Sequence, residues 1–159
     1  MSIKGYILGP EGQLHFRRSD NSEPSDNGLL CFHMSPYSSI IYENLLDEAK
    51  SLDKDLTAID TPGFGNSDRP TSPPSIESYA ISMISFIDTF KINKINLMGY
   101  HTGSKIALEI AKQIPDRINK IILVSAPIFT DEESAEMKNM YLKKDHLLSS
   151  DGSHLTHAW

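Results

Sequence analysis

The sequence predicts an α/β fold, a mostly parallel sheet flanked by helices, and three observations lead there. Turn residues divide the chain into segments that alternate between strand and helix character. Several strand segments are short continuous apolar runs, such as Gly28-Leu29-Leu30-Cys31-Phe32, the pattern of a parallel strand buried on both faces. The helix segments carry apolar residues at every third or fourth position.

Ile3 to Leu8 and Gln13 to Arg18 read as two short strands joined by Gly9-Pro10-Glu11-Gly12, a link that fits a hairpin. The polar run Ser19 to Asn27 is a loop. Residues 28–32 open a series of strand, helix, strand units. Ile41, Leu45, Ala49 and Leu52 recur at helical spacing, and Leu56 to Asp60 returns to strand character before the turn-rich Pro62-Gly63-Phe64-Gly65-Asn66. Ser75, after two prolines, is placed to cap a helix with an apolar stripe of Ile76, Tyr79, Ala80, Met83, Ile84, Ile87 and Phe90. Ile95 to Tyr100 is the next strand, Ile106, Ala107, Ile110, Ala111 and Ile114 mark a helix, and Lys120 to Ser125 is a further strand. Beyond Ile128 the rhythm stops, although Met137, Met140, Tyr141, Leu147 and Leu148 allow one amphipathic helix.

Composition narrows the function. The 159 residues hold 15 Lys and Arg against 21 Asp and Glu, a formal charge of −6, with 39% hydrophobic residues, as expected of about one globular domain. Net acidity without basic clusters argues against nucleic acid, whose phosphates reward Lys and Arg. No apolar run reaches the ~18 residues of a membrane span, and no secretory signal opens the chain, so no membrane association and a cytoplasmic setting are expected. The single Cys31 supplies neither an internal disulfide nor a redox pair, and in a buried strand it reads as a small core residue. His154 and His157 share a helical spacing, but no third ligand stands near them, so no metal and no cofactor are expected. A small molecule is the expected ligand.

In open parallel sheets the ligand crevice lies beyond the carboxyl ends of the strands. The loops after Phe32, Asp60, Tyr100 and Ser125 are therefore the places to search. Gly99-Tyr100-His101-Thr102-Gly103 stands between a strand and a helix, and its glycines suit a strained turn that holds residue 101 above the sheet.

At this point the chain resembles the α/β-hydrolase superfamily, through most of residues 1–130. His33-Met34-Ser35-Pro36 is similar to the His-Gly-x-Pro oxyanion loop, Asp60 to Arg69 to the Asp-x-Pro-Gly-x-Gly-x-Ser segment, and Gly99 to Gly103 to the Gly-x-Ser-x-Gly nucleophile elbow. Pro115-Asp116-Arg117-Ile118 resembles the approach to the sixth strand. The resemblance implies hydrolysis of a small, partly apolar substrate at an ester, amide, C–C or carbon–halogen bond. It places His101 at the nucleophile position, where the family has Ser, and assigns the oxyanion-hole N–H groups to Thr102 and Ser35. His33, Met34 and Tyr100 fall beside the substrate; Met34 stands where the family has Gly, and His33 can instead be a structural histidine bonded to neighbouring loops.

The acid and histidine of the family's triad would follow on loops after two further strands. Asp145, His146, Asp151, His154 and His157 read as solvated polar residues rather than triad members. The expectation is therefore a chain truncated before the last strands, with residues 1–130 as the core and 131–159 as the start of a helical cap. Its 120–125 strand would lie at an open sheet edge, a site of self-association. Two functions follow: a hydrolase-fold protein impaired by His101, or a non-catalytic module that binds a small molecule in the same crevice.

Overall fold

The structure, a computed structural model, describes residues 2–20, 22–142 and 150–151. The chain divides into two compact units, Met1–Pro127 and Ile128–Trp159. In the first, β1 (Ile3–Gly9) and β2 (Gly12–Arg18) form the hairpin that the sequence predicts, with Ile3 opposite Arg18 and Gly9 opposite Gly12. The next elements are β3 (Leu29–Phe32), α1 (Glu43–Ser51), β4 (Leu56–Ile59), α2 (Ile76–Thr89), β5 (Ile95–Tyr100), α3 (Thr102–Gln113) and β6 (Ile118–Val124).

Among the described residues six strands form one sheet in the order β1-β2-β4-β3-β5-β6. Strands β4, β3, β5 and β6 run parallel, as the apolar runs predict, and β2 joins β4 antiparallel. The strand period of two sends alternate side chains to opposite faces. Leu30, Phe32, Ile59 and Leu97 pack with α2 and α3, whereas Cys31, Leu56 and Ala58 pack with Tyr42, Leu46 and Ala49 at α1. Burial pushes the Cys31 thiol pKa far up, so the side chain is an inert core group.

Two helices differ from their sequence stripes. Leu45 and Leu52 are 37% and 60% exposed, while Leu46, outside the stripe, is fully buried. The cause is a 3₁₀ turn at Ser39–Tyr42 ahead of α1: its three residues per turn rotate the phase, so Tyr42 and Leu46 face the sheet. The Tyr42 hydroxyl donates to Phe32 O at 2.9 Å and fixes that register. Helix α2 starts where expected, with Ser75 accepting from Ser78 N and the Ser78 hydroxyl accepting from Ser75 N. Its buried arc also takes in Phe86, edge-on to Phe16 at 5.2 Å, because the hairpin strand β2 covers that side of the helix.

Strand β6 closes one end of the sheet among the described residues, with Ile122 and Leu123 48% and 40% exposed. The second unit contains α4 (Asp131–Leu142). Thr130 and Glu133 cap it reciprocally, Thr130 N donating to Glu133 Oε2 at 2.8 Å and Glu133 N to Thr130 Oγ1 at 3.2 Å. Leu147 and Leu148 of the expected helix lie outside the described residues.

Candidate functional site at the carboxyl ends of β3, β4 and β5

The turn from β5 into α3 is pressed against β3. A Cβ at Gly99 would run into the backbone of Gly103 and Ser104, and one at Gly103 would run into the Phe32 carbonyl and lie 3.0 Å from His33 O. Those two glycines let three backbone segments meet. Between them His101 adopts φ 50° and ψ −110°, an uncommon conformation for a residue with a side chain. The surroundings hold it there: His101 N donates to Val124 O at 2.9 Å, and His101 O accepts from Ser104 N at 2.9 Å. The Ser104 hydroxyl turns inward to Gly99 O at 2.8 Å, so it braces the turn instead of facing the crevice.

The His101 side chain is exposed at this turn. Among the described residues its ring has a single hydrogen-bond contact, Nδ1 to Thr102 Oγ1 at 3.5 Å, and no carboxylate pairs with it. Thr102 Oγ1 also accepts from Ser35 N at 3.5 Å, which brings the loop after β3 to the first residue of α3. The Thr102 backbone N–H, in the first helical turn, has no intrahelical acceptor. Tyr100 and Met34 are half-buried beside these groups in sequence, at the ends of β5 and β3.

His33 is 1% exposed, and both ring nitrogens are engaged by protein. Nδ1 donates to Met34 O at 2.9 Å, which leaves Nε2 to accept from Thr61 N at 3.0 Å, with the Thr61 hydroxyl at 3.1 Å. Burial lowers its pKa, against smaller opposing effects of Met34 O and Asp60, and the ring is neutral. The result is a clip between the loops after β3 and β4. Any contribution of His33 to a ligand passes through the loop it holds.

Asp60 is the second clip, and sequence reasoning gave it no role of its own. It is 1% exposed at the end of β4. Oδ1 accepts from Ser39 N at 2.6 Å, and Oδ2 from His15 Nδ1 at 2.8 Å and Asn66 N at 2.9 Å. Burial alone would raise its pKa; the bonds from His15, Ser39 and Asn66 outweigh it and hold the carboxyl far below the usual range. Ser67 completes the ring, its hydroxyl donating to Asp60 O at 2.8 Å and accepting from His15 N at 2.9 Å. The available sequence signal was a carboxylate ending a buried strand, which must find partners to be tolerated.

The structure thus brings Ser35, Thr102 and His101 together. Asp145, His146, His154 and His157 lie outside the described residues, and Asp151 is exposed. Among the described residues no group of three His, Cys, Asp or Glu side chains could hold a metal ion, and no helix is long and apolar enough to cross a membrane.

A sheet of this order, with a strained strand-to-helix turn at its crevice, has the architecture of an α/β-hydrolase-type fold. Residues 28–148 match the family model of the alpha/beta hydrolase fold, and the chain belongs to that family. It is 24% identical over 152 residues to a probable lysophospholipase of Arabidopsis thaliana, covering 90% of this chain and 36% of that one. A haloalkane dehalogenase of Mycolicibacterium paratuberculosis is 26% identical over 102 residues, covering 61% and 33%. Among solved structures, an N-acyl homoserine lactonase complexed with N-butanoyl homoserine superposes with a TM-score of 0.75 at 21% identity, covering 92% of this chain and 55% of that one. The chain spans from 21% to 37% of the length of the curated relatives it matches and about half of that lactonase.

Proposed function

We propose that the crevice at the carboxyl ends of β3 and β5 takes a small, partly apolar molecule, and that with His101 at the family's nucleophile position this chain binds it without turning it over. In this reading an acyl oxygen is held by the backbone N–H groups of Ser35 and Thr102, the pair that the resemblance assigns to the oxyanion hole, with the Ser35 N–H turning to it from the Thr102 hydroxyl. One observation carries the reading: the residue in the strained turn is an imidazole whose one hydrogen-bond contact among the described residues is to Thr102, with no carboxylate among them to orient it. A nucleophile without a positioned partner is a weak one. His33 and Asp60 act in this reading as positioning residues that hold the loops of Ser35 and Thr61.

The competing reading is the family reaction, hydrolysis of an ester, amide, C–C or carbon–halogen bond. The relatives named as lysophospholipase, dehalogenase and lactonase support it. A nitrophenyl butyrate assay separates the two. Saturable binding with release of nitrophenol at the buffer rate is the expected result. A burst followed by turnover, abolished in His101→Ala, overturns the binding reading in favour of hydrolysis. The proposal also includes self-association through the open edge of β6 and a cytoplasmic setting, the latter supported by a lone cysteine buried without a disulfide.

A further inference from the structure

The loop after β4 and the start of α2 line an open cleft of about 500 Å³, a size that suits a small molecule. Part of its wall is apolar and stiff, beside Arg69, Thr71 and Ser72. Pro62, Pro73 and Pro74 line it with fixed φ, and Phe64 is backed edge-on by His33 at 5.7 Å. The loop is pinned just before Arg69: Asp68 N donates to Gln13 O, Gly63 N to Asp68 O, and Asp68 Oδ2 accepts from Gln13 N at 2.9 Å.

Two polar groups in this cleft have no hydrogen-bond partner among the described residues. The chain has four arginines, and three are tied to carboxylates: Arg17 to Glu43, Arg18 to Asp20 and Asp55, and Arg117 to Asp88. Arg69, which lines the cleft, makes no hydrogen bond or ion pair among the described residues, in a protein whose net charge is −6. Tyr79 is 8% exposed, and its hydroxyl, without a hydrogen-bond partner among the described residues, stands open to the cleft that the side chain lines. An accessible hydroxyl can donate to a ligand that enters the cleft. Burial raises the Tyr79 pKa, so the group stays a donor near neutral pH.

We propose that this cleft is a binding site for a small apolar carboxylate, its flat body held between the prolines and Phe64 and its carboxylate shared by the Arg69 guanidinium and the Tyr79 hydroxyl. The guanidinium fork matches a carboxylate in plane and spacing, which sets the anion preference. The proposal does not rest on the function proposed for the crevice at His101.

The test uses phenylacetate and its neutral counterpart phenylacetamide, titrated into isotope-labelled full chain and followed by NMR. Phenylacetate should bind about tenfold tighter or more, the charge-assisted bonds supplying the difference, and should shift the Phe64 and Tyr79 signals. Arg69→Gln should abolish the preference for the acid, and Tyr79→Phe should weaken phenylacetate several-fold with the rest of the spectrum unchanged. Equal affinities for acid and amide, or a preference that survives Arg69→Gln, overturn the proposal. Shifts confined to Ser35 and Thr102 overturn it as well, by assigning the probe to the crevice, and leave the reading of that crevice standing.

Discussion

Placing a methyl group at position 103 tests whether the junction of α3 with β3 is as tight as the backbone distances indicate. Gly103 lies in the first turn of α3, where Ala would ordinarily gain about 0.5–1 kcal/mol in helix propensity. Here the added Cβ meets the Phe32 carbonyl, its carbon at 2.6 Å and His33 O at 3.0 Å, all backbone atoms of the sheet that cannot rotate away. Overpacking of this kind costs about 1–3 kcal/mol, and contact with backbone puts it at the upper end. The net expectation for Gly103→Ala is a loss of about 2 kcal/mol, or about 4–8 °C in melting temperature for a chain of this size. Urea and thermal unfolding followed by circular dichroism measure it. Because Gly99 meets the same junction from the other side, Gly99→Ala should also destabilise, and the double variant should lose less than the two single losses added together. A Gly103→Ala protein as stable as the parent would refute the argument, since α3 would then lift from β3 without cost.

His33 and Asp60 set the pH response. Both folded pKa values lie below their unfolded ones, so each contribution is complete above the unfolded value and is lost as pH falls, first His33 below about pH 6.5 and then Asp60 below about pH 4. Urea midpoints should hold at and above pH 7.5 and decline toward pH 5, with a smaller decline in His33→Gln; a parent midpoint that does not move over this range contradicts the assignment of His33 as a buried neutral ring. His101→Gly should raise stability by about 1 kcal/mol by relieving the positive φ, which the same denaturation curves would show, and a loss of stability would mean that the turn is not strained. Ile122→Lys should lower self-association in sedimentation velocity, by placing a charge on the edge strand; a parent protein that is monomeric at every concentration removes the premise.

What the sequence made legible follows from which physical signals are local. The parallel strands showed because strands buried on both faces must be continuously apolar, and the capped start of α2 showed because Ser75 follows two prolines. The phase of α1 did not show, since it depends on a 3₁₀ turn stabilised by tertiary contacts, among them the Tyr42 hydroxyl reaching Phe32 O. The glycine spacing around His101 was readable because the close approach of three backbones leaves a compositional mark. The Asp60 cluster was not, because its partners His15, Ser39 and Asn66 come from separate segments and carry no spacing rule.

The turn at His101 shows how fold and chemistry can separate. Its conformation is imposed by neighbours: Val124 O and Ser104 N bond its backbone, and Gly99 and Gly103 remove the side chains that would block the approach. The imidazole's one hydrogen-bond contact among the described residues is to the Thr102 hydroxyl, not to a backbone atom. Residue 101 is therefore free to change type without dissolving the turn, and a sequence signal that records the turn records nothing of what the side chain can do. The same reasoning makes His101→Ser a clean probe of the crevice. A serine there would sit in the same backbone with the Ser35 and Thr102 N–H groups beside it, and it should still fail to hydrolyse nitrophenyl butyrate, because its hydroxyl has no base among the described residues to take the proton. Turnover by His101→Ser would show that a base reaches the crevice and would remove the ground for reading this chain as a binder.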